Sequence, residues 1–376
     1  MGGEAVAAFV PYALPPADPP IILGAALAQR LRTAEQALLR LELAGEMVPS
    51  LDWLIYAFVR KEAVLSSQIE GTQATLVDLL TFEAQGDPES SLPPTADVEE
   101  VCNYLDALEH ARAQLDEPKG PPLSMRLLNE THERLMRGVR GAEKLPGEVR
   151  RSQNWIGGTR PGNAAYVPPP PQLLGEVLGA FEKYLHTDDT LPPLVRAGLL
   201  HAQFETIHPY LDGNGRIGRL LVTLLLEHWN LLTKPLLYLS LFFKRHREDY
   251  YRRLTAVRVD GDWESWLDFF LDGVATIADE AVASARELFA LVAADRTRVL
   301  SHEGVSVVSV RLFELLPRHP VVTVASVMRL VETTKPTAGR ATELLVAAGI
   351  LVETTGKKRD RSFTYQAYLD RLRVGT

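Results

Sequence analysis

Apolar residues recur at three- and four-residue spacing along most of this chain, a pattern typical of helices that bury one face. Such stretches first occur within residues 22–110. One of them begins at Leu51 and is predicted to end near Glu70, because Gly71 suits the left-handed conformation that closes many helices. Another helix is predicted from Ser124 to Arg137. The N-terminal third of the chain is therefore expected to be helical.

A different composition marks residues 146–171, where glycine, proline and asparagine separate two short β-prone pieces, QNWI and AAYV. This arrangement predicts a β-hairpin over residues 154–168, ended by consecutive prolines. Helical periodicity resumes at Leu173 and continues to about Ala294, with one conspicuous loop at residues 208–216.

The tail of the chain combines three helical patterns, RLFELL, SVMRLVE and KPTAGRATELLVAAG, with two short strands in ILVETTGKKRDRSFTY. Three helices and a two-stranded wing resemble a winged helix, whose third helix usually reads DNA. The predicted fold is mainly α: a helical core with a short β-hairpin, plus a C-terminal winged-helix domain. The predicted domains are an N-terminal helical region (1–112), the core (113–294) and the winged helix (295–376).

Composition places the chain among ordinary globular proteins, with 46% hydrophobic and 23% charged residues. Cys102 is the single cysteine, which excludes an intrachain disulfide and a thiolate metal cluster and favours a reducing compartment, so a cytoplasmic location is expected. The first residues lack the basic start of a signal peptide, and no membrane span is expected. Net charge is -8, yet from Ser301 onward 11 basic residues exceed 7 acidic ones, so the two parts are expected to meet different partners.

The segment HAQFETIHPYLDGNGRIGRLLVTLLLEHW carries the candidate chemistry. Proline disfavours helix at the residue before it, so His208 is expected to leave the first helix and face the loop. The next helix is predicted to open around Ile217, with Arg219 in its first turn. Backbone amides of a glycine loop at a helix N-terminus form a natural cradle for phosphate, and arginines add charge-assisted contacts.

The side chains of this loop can divide the work of a phosphoryl transfer. His208 can act as a base, since an unperturbed histidine has a pKa near 6.5. Asp212 suits Mg²⁺ held jointly with phosphate oxygens. Asn214 can donate to a phosphate or fix the turn. A metal site is the rival interpretation, because His201, Glu205 and His208 fall at i, i+4 and i+7.

The stretch HPYLDGNGRIGR closely resembles the signature of the Fic family, with Tyr210 where the family usually has phenylalanine. The resemblance implies a Fic-type helical core that uses ATP and Mg²⁺. It makes His208 the base, Asp212 the magnesium ligand, Gly213 to Gly215 the anion hole and the two arginines the polyphosphate contacts. The ATP-binding set that it implies is Glu70, Asp212, Gly213, Asn214, Gly215, Arg216, Ile217, Gly218, Arg219, Tyr250 and Tyr251.

A second match lies upstream, where Ser66, Glu70 and Gly71 fit the family's inhibitory pattern. In proteins of this kind the inhibitory glutamate reaches the second arginine of the signature and blocks the productive pose of the ATP γ-phosphate. Here that pair would be Glu70 and Arg219. A carboxylate that competes for a guanidinium can misplace a phosphate, and misplacement by about 1 Å can cost on the order of 10²-fold in rate.

The hairpin resembles the family's flap, which pairs with the target protein as an added strand and brings its hydroxyl to the base. The flap candidates are Ile156, Gly157, Ala165 and Tyr166. Tyr250 and Tyr251, followed by Gly261, Asp262 and Trp263, are similar to the segment that borders the adenine, with core packing an equal alternative for either tyrosine.

The resemblance implies AMP transfer to serine, threonine or tyrosine hydroxyls of a target protein, held in check by Glu70. Three alternatives stay open: removal of AMP with Glu70 positioning a water, a different phosphate-containing donor, and a transcriptional regulator that binds DNA. The regulator would use a basic wing formed by Lys357, Lys358, Arg359 and Arg361. Self-modification near the flap or the tail, a homodimer and the signal that releases Glu70 are also open.

Overall fold

The computed structural model describes residues 6–46, 51–85, 94–356 and 360–375. The N-terminal helices are α1 (Ala25–Glu46), α2 (Leu51–Ile69), α3 (Leu76–Gln85), α4 (Ala96–Asp116) and α5 (Met125–Leu135). The predicted end of α2 is confirmed, because Gly71 has a φ of 101°. The helix predicted from Ser124 is confirmed as well, with Ser124 as its cap accepting a hydrogen bond from the Leu127 N–H.

The helices of the central region are α6 (Leu174–His186), α7 (Pro193–Ile207), α8 (Asn214–His228), α9 (Ser240–Arg245), α10 (Arg247–Asp260) and α11 (Trp263–Leu300). The helical stretch predicted from Leu173 to Ala294 is therefore broken more often than at one loop. The chain also leaves helix at residues 187–192 and 229–239. Gly261, at a φ of 67°, closes α10, and Asp262 caps α11. The apolar periodicity continues across these breaks, because the helices on either side bury their apolar faces in the same core.

Helices α1 and α11 lie parallel and form the long spine of the molecule. The buried residues of α1 follow a spacing of four and three, which makes an apolar seam: Leu27, Leu31, Ala34, Leu38 and Leu41. Arg30 pairs with Asp268 and Asp272, and Arg40 pairs with Asp279, so the two helices run in the same direction. The spine holds the N-terminal region against the centre of the molecule.

Helix α7 is the central helix, with every residue from Leu194 to Ile207 buried. Gly198 lets α11 approach closely, since a side-chain carbon there would lie 3.0 Å from Leu267 and Phe270. The Trp266 indole N–H donates to the Gly198 carbonyl at 2.8 Å. Helix α7, which leads to the candidate base His208, is thus held in place by core packing.

The predicted hairpin is present only in part. Ile156 and Tyr166 pair as an isolated antiparallel bridge, and residues Pro161–Asn163 form a short 3₁₀ turn. Regular strands do not extend from the bridge, because Gly157 and Gly158 turn the chain at φ near 70° and prolines follow at 168–171 without N–H donors.

The C-terminal elements are α12 (Val307–Leu315), β1 (Val321–Thr323), α13 (Val324–Leu330), α14 (Lys335–Ala347), β2 (Val352–Glu353), β3 (Ser362–Thr364) and α15 (Gln366–Leu372). The three predicted helices and two predicted strands are confirmed. Strand β1 and helix α15 were not predicted. The antiparallel sheet has the order β1-β3-β2, with Val322 opposite Phe363. Lys357, Lys358 and Arg359 lie outside the described residues.

Helix α11 continues through residues 294 and 295 to Leu300 and so joins the centre to the C-terminal elements. The Tyr365 hydroxyl donates to the buried Asp295 carboxylate at 2.6 Å. Among the described residues, none of the helices is long and apolar enough to cross a membrane.

Helix α2 lies between the centre and the C-terminal elements. Its Trp53 ring contacts Tyr368 of α15, with ring centroids 6.0 Å apart. The Lys61 ammonium is buried and donates to the Val374 carbonyl at 2.8 Å. From Lys61 to Ser67 every residue is buried. This enclosure fixes the end of α2 that carries Ser66 and Glu70.

Candidate active site

The loop between α7 and α8 holds the predicted base. His208 follows the last residue of α7 and has a φ of 50°, so the prediction that it leaves the helix is confirmed. The predicted start of α8 at Ile217 is wrong, because α8 begins at Asn214. Arg219 therefore lies in the second turn, and Arg216 lies in the first.

Asn214 explains the early start of α8. Its side-chain carbonyl accepts from the Tyr210 N–H, and its amide donates to the Tyr210 carbonyl, both at 2.8 Å. This clamp closes the turn, so that helix begins directly after Gly213, which has a φ of 76°. Of the two roles considered for Asn214, the structure shows the one that fixes the turn. The Tyr210 hydroxyl donates to Asn129 at 2.8 Å, which accommodates the departure from phenylalanine.

The first turn of α8 is the predicted anion cradle. The N–H groups of Asn214, Gly215 and Arg216 have no carbonyl partner within the helix, and the helix dipole makes this end electropositive. The Gly213 N–H donates instead to the Asp212 carboxylate at 2.7 Å. Three amides and the Arg216 side chain therefore converge on one end of the helix.

Glu70 lies over this cradle. Its carboxylate accepts a hydrogen bond from the Arg219 guanidinium at 2.7 Å. A side-chain carbon at Gly215 would clash with the same carboxylate oxygen, so glycine there permits the approach. Ser66 adds two acceptors for Arg219, its hydroxyl and its carbonyl, each at 2.9 Å. The structure thus brings together Glu70 and Arg219, the pair that the resemblance implied.

The electrostatics favour an ionised Glu70. Burial acts to raise the pKa of its carboxyl, but the charge and hydrogen bond of Arg219, with Arg216 and His208, lower the pKa below its usual value. Arg219 is 2% exposed, and Glu70 is 31% exposed. A carboxylate held against a buried guanidinium at a helix N-terminus occupies a position that suits a phosphate.

His208 is a neutral imidazole at neutral pH. Its Nδ1 atom is buried and has no hydrogen-bond partner. Burial, followed by the charges of Arg258 and Arg150, lowers the pKa of the ring to about 4. The ring is therefore neutral near pH 7 and free to accept a proton. The Arg150 guanidinium donates to the His208 carbonyl at 3.0 Å and fixes the backbone of the base.

The rival interpretation, a metal site of His201, Glu205 and His208, is wrong. The ring nitrogens of His201 are both engaged, one with the Gly218 carbonyl at 2.9 Å and the other with the Tyr250 hydroxyl at 2.8 Å. In the described ranges no cluster of three or more histidine, cysteine or acidic side chains could hold a metal ion.

Asp212 lies in the loop just before α8, beside the cradle. One carboxylate oxygen accepts from Gly213, and the other lies 2.8 Å from the Lys144 ammonium. Burial acts to raise the pKa of Asp212, but these two partners and Arg216 lower it below its usual value, so the group is a carboxylate at neutral pH. An ionised oxygen ligand beside a phosphate cradle fits Mg²⁺, which keeps few protein ligands and takes the rest from phosphates and water.

The flap candidates converge. The Ile156 N–H donates to the Tyr166 carbonyl at 2.8 Å, and the reverse bond measures 3.1 Å. Gly157 faces Ala165 across this bridge. The Tyr166 hydroxyl donates to the Thr206 carbonyl at 2.7 Å, two residues before His208. The candidate flap is thereby attached to the end of α7, the helix that precedes the candidate base.

The remaining predicted site residues lie in or beside the core. Tyr250 is 1% exposed and bonds to His201, whereas Tyr251 is 40% exposed. Ile217 is fully buried, and the Gly218 carbonyl bonds to His201, so both residues pack α8 against its neighbours. Core packing therefore accounts for Tyr250, whereas the partly exposed Tyr251 ring lies between Tyr250 and Arg247.

Sequence reasoning missed several residues of the site. Arg150 is 2% exposed and donates to the carbonyls of Ser152, Pro169 and His208, whereas the adjacent Arg151 is exposed. Nothing in the sequence distinguishes these two arginines. Arg258 stacks 4.0 Å over the Tyr166 ring.

His132 was missed as well. Its ring stacks on Tyr210 with centroids 3.8 Å apart, and it bonds to the Asp212 carbonyl at 3.0 Å. A histidine on the buried face of α5 was the available signal, but only the fold brings it to the loop.

Comparison with known families gives the same assignment for two parts of the chain. The model of the Fic/DOC family N-terminal region matches residues 28–113, and the model of the Fic/DOC family matches residues 122–226. Among curated relatives, Protein adenylyltransferase Fic of Drosophila erecta is 34% identical over 145 residues, which are 38% of this chain and 26% of the relative. The protein of the same name from Culex quinquefasciatus is 30% identical over 175 residues, which are 46% and 32% of the two chains. The chain thus spans about a third or less of these curated relatives.

Solved structures share the fold. A Fic family protein from Desulfovibrio desulfuricans G20 has a TM-score of 0.58 at 20% identity, covering 92% of this chain and 97% of the other. Fic-1 from C. elegans has a TM-score of 0.53 at 20% identity, covering 72% and 74%. The two family models together match just over half of the residues, and they include the loop, the base and the helix that carries Glu70. On this evidence the chain belongs to the Fic/DOC family.

Proposed function

We propose that this protein transfers AMP from ATP to a serine, threonine or tyrosine hydroxyl of a target protein. One observation carries the proposal: a neutral histidine with an unpartnered, buried nitrogen lies in the loop that leads to a helix N-terminus, and the first two turns of that helix carry two arginines. This combination places a base beside an anion cradle. The relatives named protein adenylyltransferase, which the chain matches over part of their length, support the same activity.

In the proposed reaction, the His208 imidazole takes the proton of the target hydroxyl. The hydroxyl oxygen attacks the α-phosphorus in line, the new P–O bond forms, and the bond to the bridging oxygen of pyrophosphate breaks. The amides at the start of α8 and the Arg216 side chain stabilise the negative charge on the phosphates. His208 contributes through position as much as through basicity, because Arg150 holds its backbone in place.

Asp212 would hold Mg²⁺ together with phosphate oxygens, and the ion would neutralise part of the polyphosphate charge. The ionised state of Asp212 and its place beside the cradle support this assignment.

Glu70 restrains the reaction in this proposal. A phosphate that enters the cradle must share Arg219 with an ionised carboxylate that already lies over Gly215. Release of Glu70 would free Arg219 for the terminal phosphates. The predicted division into residues 1–112, 113–294 and 295–376 then separates the restraining helix, the chemistry and a recruiting unit.

The target protein is proposed to bind along the flap at Ile156, Gly157, Ala165 and Tyr166. The attachment of Tyr166 to Thr206 supports this site, because it keeps the flap a fixed distance from His208. A strand added at the flap would bring its hydroxyl to the base. A cytoplasmic location, where ATP is abundant and Cys102 stays reduced, is part of the proposal.

The deciding experiment is transfer of label from α-labelled ATP to protein, with Mg²⁺ present. The chain itself and a cell lysate serve as acceptors, and the variants are wild type, Glu70→Gly and Glu70→Gly with His208→Ala. We expect label to rise by at least about tenfold in Glu70→Gly and to vanish in the double variant. If none of the variants transfers label, the proposal is wrong, and release of AMP from a modified protein or another donor becomes the better account.

The C-terminal elements support a second, separable proposal, that they form a winged helix that binds duplex DNA. Helix α14 follows the sheet strand β1 and the short helix α13, and it exposes Lys335 and Arg340. Arg361 at the end of the turn is described and 40% exposed. DNA affinity that falls steeply with salt, and that weakens in a Lys335→Ala, Arg340→Ala double variant, would support it. Equally weak DNA binding by the wild type and the double variant would refute it.

A further inference from the structure

Lys144 belongs to no motif of the sequence, yet it reaches the centre of the site. Its ammonium lies 2.8 Å from the Asp212 carboxylate. Lys144 is part of the loop at residues 136–147, which connects α5 to the flap region and folds against the loop before α8. Gly141 permits this contact, because a side-chain carbon there would lie 2.9 Å from the same carboxylate oxygen.

The loop that presents Lys144 is anchored to His132 at its C-terminal end. The Gly147 N–H donates to His132 Nδ1 at 2.9 Å, so that nitrogen carries no proton. His132 Nε2 therefore carries the proton and donates to the Asp212 carbonyl at 3.0 Å. Within the loop, the Lys144 N–H donates to the Gly141 carbonyl at 2.8 Å. One histidine thus fixes the position of Lys144 relative to Asp212.

Lys144 differs from the two arginines of the cradle in exposure. The Arg216 and Arg219 side chains are 1% and 2% exposed, and each is paired with a glutamate of the N-terminal region. The Lys144 side chain is 43% exposed, and its partner Asp212 is 31% exposed. An ion pair this open to solvent is weak and exchanges easily, so the ammonium can change partners when a stronger anion enters.

We propose that Lys144 is a further phosphate-binding residue of the site, which leaves Asp212 to donate to the polyphosphate of the bound nucleotide. The inference rests on the proposed function, because it takes the cradle beside Asp212 as the phosphate site. A lysine is a compact point charge that suits a terminal phosphate. When the Lys144 ammonium moves from Asp212 to a phosphate, it also frees the Asp212 oxygen to which it was bonded. The other Asp212 oxygen stays bonded to the Gly213 N–H.

The test measures binding rather than turnover. Isothermal titration calorimetry of the full chain carrying Glu70→Gly compares ATP, inorganic pyrophosphate and adenosine, without added metal. Lys144→Met is expected to weaken the affinity for ATP and for pyrophosphate by about tenfold and to leave the affinity for adenosine unchanged. Lys144→Arg is expected to retain most of the affinity for ATP and pyrophosphate. Lys183→Met, an exposed lysine on α6, removes the same charge elsewhere and controls for the net charge of the chain.

A double variant separates direct binding from an effect through Asp212. If Lys144 only orients Asp212, Lys144→Met has no further effect on ATP affinity in an Asp212→Asn chain, and the inference is wrong. If Lys144 contacts phosphate, the tenfold loss persists in that background. Should the Glu70→Gly chain bind ATP and the Lys144→Met variant bind it equally well, the inference alone fails. Should the Glu70→Gly chain bind none of the phosphate ligands, the proposed function fails together with it.

Discussion

Glu70 and Arg219 form a 2.7 Å ion pair over the first turn of α8, although the two residues are 149 positions apart in the chain. The pair closes the electropositive end of the helix with a carboxylate, which is the charge that a phosphate would bring. Removing the carboxylate leaves a buried guanidinium without its ionic partner, and an entering phosphate gains the interaction that Glu70 gives up.

Ser66 offers a way to weaken the proposed restraint by Glu70 without removing the charge. Its hydroxyl accepts from Arg219 Nε at 2.9 Å, so Ser66→Ala removes one of the acceptors that hold the guanidinium toward α2. A hydrogen bond to a charged group contributes about 1.5–3 kcal/mol, and part of that is regained from water in the variant. We expect transfer of α-labelled AMP to rise about three- to tenfold, less than in Glu70→Gly.

The neighbouring serine is the matched control. The Ser67 hydroxyl is buried and has no hydrogen-bond partner, so Ser67→Ala removes the same atom from the same turn of α2 without touching Arg219. Its transfer rate is expected to equal that of the wild type. Equal increases in both variants would mean that loosening of α2, rather than loss of the Arg219 contact, raises the rate.

Tyr210 tests the departure from the family's signature. Tyr210→Phe removes the hydroxyl that donates to Asn129 and keeps the ring stacked on His132. We expect the free energy of unfolding to fall by about 1 kcal/mol, the usual net value of one hydrogen bond, with the transfer rate of the Glu70→Gly chain unchanged. Denaturant unfolding and the label assay provide the two measurements, and a large loss of rate would show that the hydroxyl has a role in the site.

Local pattern predicted much of the fold. The end of α2 at Gly71 and the departure of His208 from α7 followed from backbone preferences of single residues, which act over one turn. The start of α8 was misplaced by three residues, because it depends on the Asn214 side chain clamping the Tyr210 backbone. A capping contact of this kind has no signature in hydrophobic periodicity.

Residues that act across the fold were harder to predict. The sequence pattern does not distinguish Arg150 from Arg151. In the structure Arg150 is buried, and its guanidinium donates hydrogen bonds to surrounding backbone carbonyls. The Glu70 and Arg219 pair was predicted only through resemblance to a family, since nothing local joins two residues this far apart. The positions of Lys144 and His132 beside Asp212 likewise depend on the packing of separate segments.

Arg150 joins the proposed flap region to the loop of the proposed base, and its replacement should affect the free energy of unfolding and the transfer rate together. Arg150→Met removes the donor from the buried Pro169 carbonyl and from the partly buried contacts with the Ser152 and His208 carbonyls. Unsatisfied buried groups cost about 1–3 kcal/mol each, and water recovers part of this, so we expect a loss of about 2–4 kcal/mol in the free energy of unfolding. Denaturant unfolding measures it.

Arg151→Met is the control for this change, because Arg151 is exposed and its ion pair among the described residues is with Glu148. Its stability is expected to lie within about 0.5 kcal/mol of the wild type, as for most surface substitutions. In the Glu70→Gly background, the rate of AMP transfer should fall in Arg150→Met and remain unchanged in Arg151→Met. A stable Arg150→Met protein with full transfer rate would contradict the role given to Arg150.

The pKa of His208 is the last prediction. Burial, with the charges of Arg258 and Arg150, lowers it to about 4 in the folded chain, whereas an unfolded histidine titrates near 6.5. The unfolded state therefore binds a proton first as the pH falls, and His208 reduces the stability of the fold increasingly between about pH 6.5 and pH 4. We expect the free energy of unfolding of the wild type, relative to His208→Ala, to fall by about 1–2 kcal/mol between pH 7 and pH 5.

Nuclear magnetic resonance measures the titration of the His208 ring directly. The His208 ring signal, identified by its loss in His208→Ala, should not shift between about pH 8 and pH 5.5 in the folded chain, and in urea the histidine signals should titrate near 6.5. Glu70 raises the pKa of His208, so Glu70→Gly should move the titration to still lower pH. A folded-state midpoint near 6.5 would mean that the ring is solvated and that its neighbouring arginines do not keep it neutral. His208 would then lose its base function below neutral pH, and transfer by the Glu70→Gly chain would fall with the same midpoint.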